Sequence, residues 1–191
     1  MQIKKFGYSG TEISDLLVDT YSSEYLWLAF KQDTSGNCKL KKVSAHNPLQ
    51  TYYDIDIATT EITKMIINST DIYVALNDAT YIASIYSITN PIGDVTNVDI
   101  PSGITQKPMD IVVGNSLYIL LPGSTSGTNA KICVFNTAGT YSETIDLPTV
   151  TNAVSFTIDS NNNLWIVTNE SDAKLIRVYD DGGWTIQSTT L

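Results

Sequence analysis

Four segments of similar sequence, YLWLA (25–29), DIYVA (71–75), SLYIL (116–120) and NLWIV (163–167), recur along the chain. Their central aromatic residues are spaced by 46, 45 and 47 positions. Branched and aromatic residues dominate the segments, which favours β-strands. A period of this length, with several short strands in each repeat, is typical of a β-propeller in which every repeat forms one blade.

Each repeat contains three further strand-like segments around the aromatic one. In the fourth repeat these are SFTID (155–159), KLIRVYD (174–180) and WTIQSTTL (184–191). Turn-forming residues separate the segments, and no long stretch sustains the 3.6-residue period of a helix. We therefore predict an all-β chain with a helix content near zero.

The whole chain, residues 1–191, is predicted to form a single β-propeller domain of four four-stranded blades. The predicted blades cover approximately residues 12–57, 62–101, 108–148 and 153–191. Residues 2–8 resemble a fourth strand without a blade of its own, because the sequence around them aligns with the end of the first repeat. This extra strand either seals the ring within one chain, which we favour, or pairs with a neighbouring chain.

Composition narrows the classes of partner. The 191 residues carry 20 acidic and 11 basic side chains, a net charge of −9. Such a chain repels phosphate backbones and anionic lipid, so we expect neither nucleic acid nor membrane as a partner. The amino terminus does not contain the apolar stretch that a signal peptide requires, so we expect no signal peptide. The Ser-, Thr-, Asn- and Tyr-rich strands resemble those of virion or cell-surface proteins of phage type, so a virion or extracellular location is expected.

The fourth repeat resembles a known type of propeller repeat. It reads FTIDSNNNLWIVTNESDAKLIRVYDDGG over residues 156–183. It resembles repeats of the NHL, two-component-regulator and streptogramin-lyase-like propellers, which typically read as an apolar strand ending in Asp, a Gly/Asn-rich turn, an Asn-Leu-Trp strand, a polar loop and then Ile-x-Arg-Tyr/Phe-Asp. The matching positions are Asp159, Asn163, Leu164, Trp165, Ile176, Arg177, Tyr179 and Asp180.

This resemblance implies a propeller fold and a broad range of functions. Streptogramin-lyase-like enzymes use a histidine with acidic residues and a divalent metal, whereas this chain has one histidine, His46, in a loop. Lactonase propellers need Glu, Asn and Asp side chains that converge at the ring axis, and the sequence indicates no such set. A metal-dependent lyase or lactonase is therefore the alternative function, and a sensor propeller is a further one.

Two groups of aromatic residues call for different interpretations. We interpret the recurring central aromatics as core residues packed between blades: Trp27, Tyr73, Tyr118 and Trp165. Other aromatics lie near strand ends or loops, where Tyr and Trp stack on sugar rings or anchor protein partners. The candidate binding residues of this second group are Tyr21, Tyr52, Tyr53, Tyr81, Tyr141 and Trp184, and Tyr25 lies beside them.

No residue set predicts catalysis, a cofactor or a metal site. His46 is interpreted as a solvent-facing turn residue, and the oxygen-rich stretch 159–163 as a turn rather than a calcium loop. We therefore predict a non-enzymatic binding or structural module. Its expected partner is a protein or a second copy, contacted through the amino-terminal strand, with a glycan as the further candidate.

Overall fold

The computed structural model describes residues 12–19, 22–32, 36–47, 49–59, 61–124 and 127–191. These residues form sixteen β-strands and no helix. The strands make four antiparallel sheets of four strands, each with its strands in chain order or in the exact reverse of it. The predicted all-β architecture of four four-stranded blades is confirmed, whereas the extra strand predicted at residues 2–8 lies outside the described residues.

Each blade is one repeat of the sequence. Blade 1 contains β1 (Ile13–Val18), β2 (Tyr25–Phe30), β3 (Cys38–Ser44) and β4 (Thr51–Ile57). Blade 2 contains β5 (Glu61–Asn68), β6 (Asp71–Asn77), β7 (Tyr81–Ser87) and β8 (Val95–Asp99). Blade 3 contains β9 (Asp110–Val113), β10 (Leu117–Leu121), β11 (Lys131–Phe135) and β12 (Tyr141–Asp146). Blade 4 contains β13 (Ala153–Ile158), β14 (Leu164–Thr168), β15 (Lys174–Asp180) and β16 (Trp184–Thr190).

The second strand of each blade carries the repeated aromatic segment and is apolar on both faces. Successive side chains of a strand point to opposite faces of its sheet, so such a strand serves two neighbours. Trp27 packs in one cluster with Ile72 and Val74 of blade 2. Tyr73 packs likewise with Ile119 of blade 3. A third cluster joins blade 3 to blade 4.

These contacts give every blade a direction. We call the face that bears the central aromatic residue the forward face, because in blades 1 to 3 the next blade covers it. The opposite face, which bears residues such as Ile72 and Ile119, is the backward face, and the preceding blade covers it in blades 2 to 4. Each interface therefore joins a forward face to a backward face.

Two aspartates tie neighbouring inner strands together. The Asp15 Oδ2 atom accepts a hydrogen bond from the backbone N–H of Met65 at 2.7 Å, which links β1 to β5. The Asp110 Oδ2 atom accepts from the backbone N–H of Phe156 at 3.1 Å and from the Ser155 hydroxyl at 2.7 Å, which links β9 to β13. Blade 1 is thus fastened to blade 2, and blade 3 to blade 4.

The described blades form an open arc. The inner strands β1 and β5, β5 and β9, and β9 and β13 lie side by side, but β1 and β13 have no contact of comparable extent in the described part of the chain. Leu16 and Val18 on β1, and Val154 on β13, are exposed. The strand expected to close the ring, residues 2–8, lies outside the described residues, so closure within one chain stays a prediction. Among the described residues, no further blade lies beside the backward face of blade 1 or the forward face of blade 4.

Candidate functional site

The forward face of blade 1 is centred on Trp27 and is covered by blade 2. The Trp27 Nε1–H donates to Asp19 Oδ2 at 3.1 Å. The Lys42 ammonium lies 2.7 Å from the same carboxylate oxygen and 5.4 Å from the centroid of the indole ring. Trp27 and Asp19 are almost fully buried. Burying a charged group is costly unless it is paired with an opposite charge. Here the Asp19 carboxylate and the Lys42 ammonium form such a pair.

The forward face of blade 4 carries the same arrangement. The Trp165 Nε1–H donates to Asp159 Oδ2 at 3.0 Å. Arg177 lies opposite Trp165 in the sheet, as Lys42 lies opposite Trp27. Its guanidinium stacks between two rings, 5.8 Å from the centroid of Trp165 and 4.4 Å from that of Tyr179. Local sequence therefore builds the same cluster twice.

Hydrogen bonds fix the carboxylate of this second cluster. Asn163 donates to Asp159 Oδ2 at 2.7 Å, and its amide oxygen accepts from the Arg177 Nη2 at 3.1 Å. The hydrogen bond from Trp165, followed by that from Asn163, holds the pKa of Asp159 well below its ordinary value. The Asp159 side chain is thus ionised at neutral pH and orients the tryptophan.

Blade 4 differs from blade 1 because no described blade covers its forward face. Trp165, Arg177 and Tyr179 are half-buried, and Val167 is 39% exposed. The Arg177 Nε is buried and has no hydrogen-bond partner. The second and third strands give this face Trp165, Val167, Leu175, Arg177 and Tyr179, and the first and fourth strands add the polar residues Thr157, Thr185, Gln187 and Thr189. An exposed patch that joins apolar, aromatic and arginine side chains has the composition of a protein interface core.

The backward face of blade 1 is the other end of the arc. Leu16 lies opposite Leu28, and Val18 opposite Leu26, so these four residues share that face. Leu28 is buried in a small cluster with Phe30 and Val43, against which Leu26 packs. Leu16 and Val18 are 50% and 55% exposed. The inner strand of blade 1 therefore presents an accessible apolar strip.

The candidate aromatics of blade 1 occupy different surroundings. Tyr53 stacks on Trp27 with an interplanar angle of 4° and its ring centroid 6.3 Å away, inside the interface with blade 2. Tyr52 is exposed and packs edge-on against Tyr25 at 4.8 Å. Tyr21 lies outside the described residues. Tyr53 therefore serves packing, while Tyr52 stays available for contact.

The remaining candidates lie around two grooves. Tyr81 lines a groove of about 500 Å³ between blades 1 and 2. Trp184 packs edge-on against Tyr118 and lines a polar groove of about 400 Å³ between blades 3 and 4. Tyr141 is exposed beside Phe135. The structure brings none of these candidates together into one site.

The loop residues have the roles that the sequence indicated. His46 is exposed. Asp159 Oδ1 accepts from the backbone N–H groups of Asn161 and Asn163, both at 2.9 Å, and Asn162 has a φ of 60°. This is turn chemistry, in which an Asx side chain satisfies backbone amides. In the described ranges no group of three or more His, Cys, Asp or Glu side chains is placed to hold a metal ion.

Sequence reasoning missed the clusters on the two Trp-bearing faces. The sequence pattern placed Asp159 in a turn, Trp165 in the core and Arg177 in a repeat motif, but it did not predict that the three form a cluster, and it did not single out Asp19 or Lys42. The available signal was an Asp after the first strand, a Trp in the second and a cation opposite it in the third. That combination occurs in repeats one and four, whereas repeats two and three have Tyr at the central position.

None of the described residues belongs to a helix that could span a membrane.

No protein-family profile and no curated protein matches this sequence. Solved structures do match it. A streptogramin B lyase aligns with 97% of this chain and 57% of its own at 15% identity, with a TM-score of 0.69. The fold is a β-propeller, similar to that of this lyase. Virginiamycin B lyase from Staphylococcus aureus aligns over 87% of this chain and 52% of its own at 15% identity, with a TM-score of 0.63.

A third match, YCF48 from Cyanidioschyzon merolae, covers 98% of this chain and 60% of its own at 12% identity, with a TM-score of 0.61. The chain thus spans little more than half the length of each of these three structures.

Proposed function

We propose that this chain is a non-enzymatic assembly module, an arc of propeller blades whose end faces bind protein subunits. The observation that carries the proposal is the forward face of blade 4. It repeats the Trp, Asp and cation of the blade 1 face, which blade 2 covers, and yet no described blade covers it. A surface built like an interface and left accessible favours a protein partner.

Physical reasoning supports a stabilising contact at this face. A propeller blade has two apolar faces and buries both only by stacking. Trp165, Val167 and Leu175 keep part of their apolar surface in water. Covering them would gain about 25 cal/mol for each Å² removed from water. Trp and Arg are the side chains most enriched among residues that dominate protein interfaces, and this face has one of each.

The polar, Tyr-rich composition supports placing the module on a virion or a cell surface, as part of the same proposal. The predicted contribution of residues 2–8 to self-association stays a prediction, because those residues lie outside the described ones. On a panel of lyase and hydrolase substrates we expect no turnover.

Sedimentation velocity of the full chain over a range of concentrations tests the assembly function. We expect reversible association that Trp165→Ser weakens by at least about tenfold in Kd, as for a central interface residue. Tyr141→Ser is the matched control, because Tyr141 is an exposed aromatic away from both end faces. A chain that is monomeric at every concentration, or an equal loss in both variants, would contradict the proposal.

A second candidate ligand is a glycan in the groove between blades 3 and 4. That groove combines aromatic surface from Trp184 and Tyr118 with the Glu143 carboxylate and the Asn161 and Asn162 side chains. Aromatic faces stack on sugar rings, and carboxylates and amides hydrogen-bond to hydroxyls. Glycan-array binding that Trp184→Ala abolishes, and Tyr141→Ala leaves intact, would support this function. Absence of binding to the array would remove it.

A further inference from the structure

We infer that the outer strand of blade 2, β8, binds an extended protein segment in which apolar and basic residues alternate, and that this segment adds to blade 2 as a fifth strand. The strand lies on the rim of the molecule and belongs to neither end face of the arc, so the inference goes beyond the proposed function. It rests on the unpaired backbone of β8 and on two unlike grooves that flank the strand.

The backbone of β8 has hydrogen-bonding groups that no described strand uses. β8 is the last strand of its sheet, so only one of its edges is paired. The Ser87 N–H donates to the Asp94 carbonyl at 3.1 Å, which makes these opposed residues a hydrogen-bonded pair. Such pairs alternate along an antiparallel ladder, so the N–H and C=O groups of Val95 and Asn97 point away from β7. An extended segment can pair with these outward groups.

The groove on the backward side of β8 is apolar. It is the groove of about 500 Å³ between blades 1 and 2, and Val95 faces it from β8, together with Ile92 in the preceding turn. These two side chains are 41% and 69% exposed. Asp54 and Asp56 border the groove, but their carboxylates pair with lysines on the backward face of blade 1. This side of β8 therefore suits the apolar side chains of a partner.

The corresponding position between blades 3 and 4 is covered. Ile55 and Ile145 occupy the same register in the fourth strands of blades 1 and 3. Ile145 is 4% exposed and packs in the cluster that joins blades 3 and 4, whereas Ile55 is half-buried and lines the groove. Ile55 thus keeps apolar surface in the groove that its counterpart buries. A segment bound beside β8 would cover that surface.

The groove on the forward side of β8 is acidic. It has a volume of about 350 Å³, and its lining includes Asp71, Asp94 and Thr96. Asp71 and Asp94 both lie opposite Ser87, and Thr96 shares their face of the sheet. Among the described residues, no lysine or arginine lines this groove. Two carboxylates without a basic neighbour in the groove complement the basic side chains of a partner.

The alternation of the partner follows from the two grooves. Successive side chains of an added strand point to opposite faces of the sheet. Every second side chain would therefore enter the apolar groove, while the side chains between them would reach Asp71 and Asp94. β8 is five residues long, so a segment of similar length can pair along it. Backbone pairing supplies affinity in this mode, and the pockets for alternate side chains supply specificity.

Binding of a fluorescein-labelled peptide of four Val-Lys repeats, followed by fluorescence anisotropy, tests the inference. We expect it to bind at least about tenfold more tightly than four Val-Glu repeats, because like charges at the acidic groove repel. The Val-Lys peptide methylated at every backbone nitrogen should not bind, since it cannot donate hydrogen bonds to β8. The salt dependence of binding should be strong, because the contact with Asp71 and Asp94 is exposed.

Two proline variants locate the binding edge. Val95→Pro removes an outward N–H at the first residue of β8, where proline is tolerated, and should weaken binding at least about tenfold. Tyr141→Pro is the matched control, because Tyr141 begins β12 and the same alternation directs its N–H outward. It should leave binding unchanged. Circular dichroism checks that both variants keep the fold.

Amide exchange followed by NMR gives a second measurement on the unmodified chain. In the free chain the N–H groups of Val95 and Asn97 should exchange faster than those of Thr96 and Val98, and the Val-Lys peptide should slow them. Absence of peptide binding, equal binding of the Val-Glu peptide, or equal weakening in both proline variants would overturn the inference. Protection of Val95 and Asn97 in the free chain would do so too, since the edge would already be occupied. None of these outcomes changes the sedimentation test of Trp165, so the proposed assembly function stands or falls separately.

Discussion

The forward faces of blades 1 and 4 carry one cluster in two environments. Under blade 2, the Lys42 ammonium lies directly on the Asp19 carboxylate at 2.7 Å. On blade 4, the Arg177 guanidinium reaches its aspartate only through Asn163 and stacks on Tyr179 instead. The comparison teaches that each blade builds the cluster from its own residues, with the cation directly on the carboxylate in blade 1 and bridged to it by Asn163 in blade 4.

The two middle blades solve the same packing task differently. Their central residue is tyrosine, and the Tyr73 hydroxyl donates to the backbone carbonyl of Thr137 in blade 3 at 3.2 Å. Burial raises the pKa of Tyr73. Tyr73 thus bonds to the next blade, whereas each central tryptophan bonds to the aspartate of its own blade. The tryptophan cluster is complete without a neighbour, so blade 4 retains it at the end of the arc.

The largest difference between the two faces should appear on truncation of the tryptophans. Trp27→Ala should lower the free energy of unfolding by about 3–5 kcal/mol, because it empties a fully buried site. Trp165→Ala should cost roughly 1–2 kcal/mol at dilutions where the chain is monomeric, since part of the ring already contacts water. Equilibrium urea unfolding measures both. Equal losses would show that blade 4 is as well covered as blade 1.

The second test removes the buried carboxylate of Asp19 and measures the loss of stability. Asp19→Ala leaves the Lys42 ammonium buried without its carboxylate, and we expect a loss of about 3 kcal/mol in urea unfolding. The control is Asp54→Ala, which breaks the more exposed pair with Lys41 and should cost under about 1 kcal/mol. The double variant Asp19→Ala/Lys42→Met removes the ammonium as well as the carboxylate. If it were as unstable as Asp19→Ala alone, the unpaired Lys42 charge would not be the cause of the lost stability.

The attachment of blade 4 provides a third test. Asp110→Ala removes the acceptor for the Phe156 amide and the Ser155 hydroxyl, and we expect a loss of about 1–3 kcal/mol. Hydrogen exchange should accelerate in β13–β16 and stay unchanged in blades 1 and 2. Asp15→Ala should accelerate exchange at the opposite junction, between blades 1 and 2. Uniform acceleration in both variants would mean that the blades do not open separately.

The smallest expected effect is the pH dependence that Asp159 contributes. Its folded pKa is depressed below the ordinary value of 3.8, so its stabilisation is present above that pH and is lost as the pH falls through the folded pKa. Asp159→Asn should therefore lower Tm at pH 7, and the difference from wild type should narrow in acid. Trp165→Phe removes the principal hydrogen bond and should raise the NMR titration midpoint of Asp159. An unchanged midpoint would assign the depressed pKa to Asn163.

Part of the candidate site was predictable from sequence, and part was not. The central aromatics were predicted to pack between blades, and Trp27, Tyr73 and Tyr118 do so. Trp165 is only half-buried because no described blade follows it. The Asp159 turn was interpreted correctly, since Asx turns depend on adjacent residues. The aromatics chosen at loops were scattered, because the sequence gives no distance between blades.

The sequence by itself determined the number of blades, their strands and the composition of each forward face. These features rest on contacts within one repeat, where pairing and period-two alternation are local. Only the tertiary structure decided that no blade among the described residues covers Trp165. The angle between successive blades depends on how side chains from two sheets fill the space between them. Small differences in that angle accumulate around the axis, so four similar repeats do not fix where the ring ends.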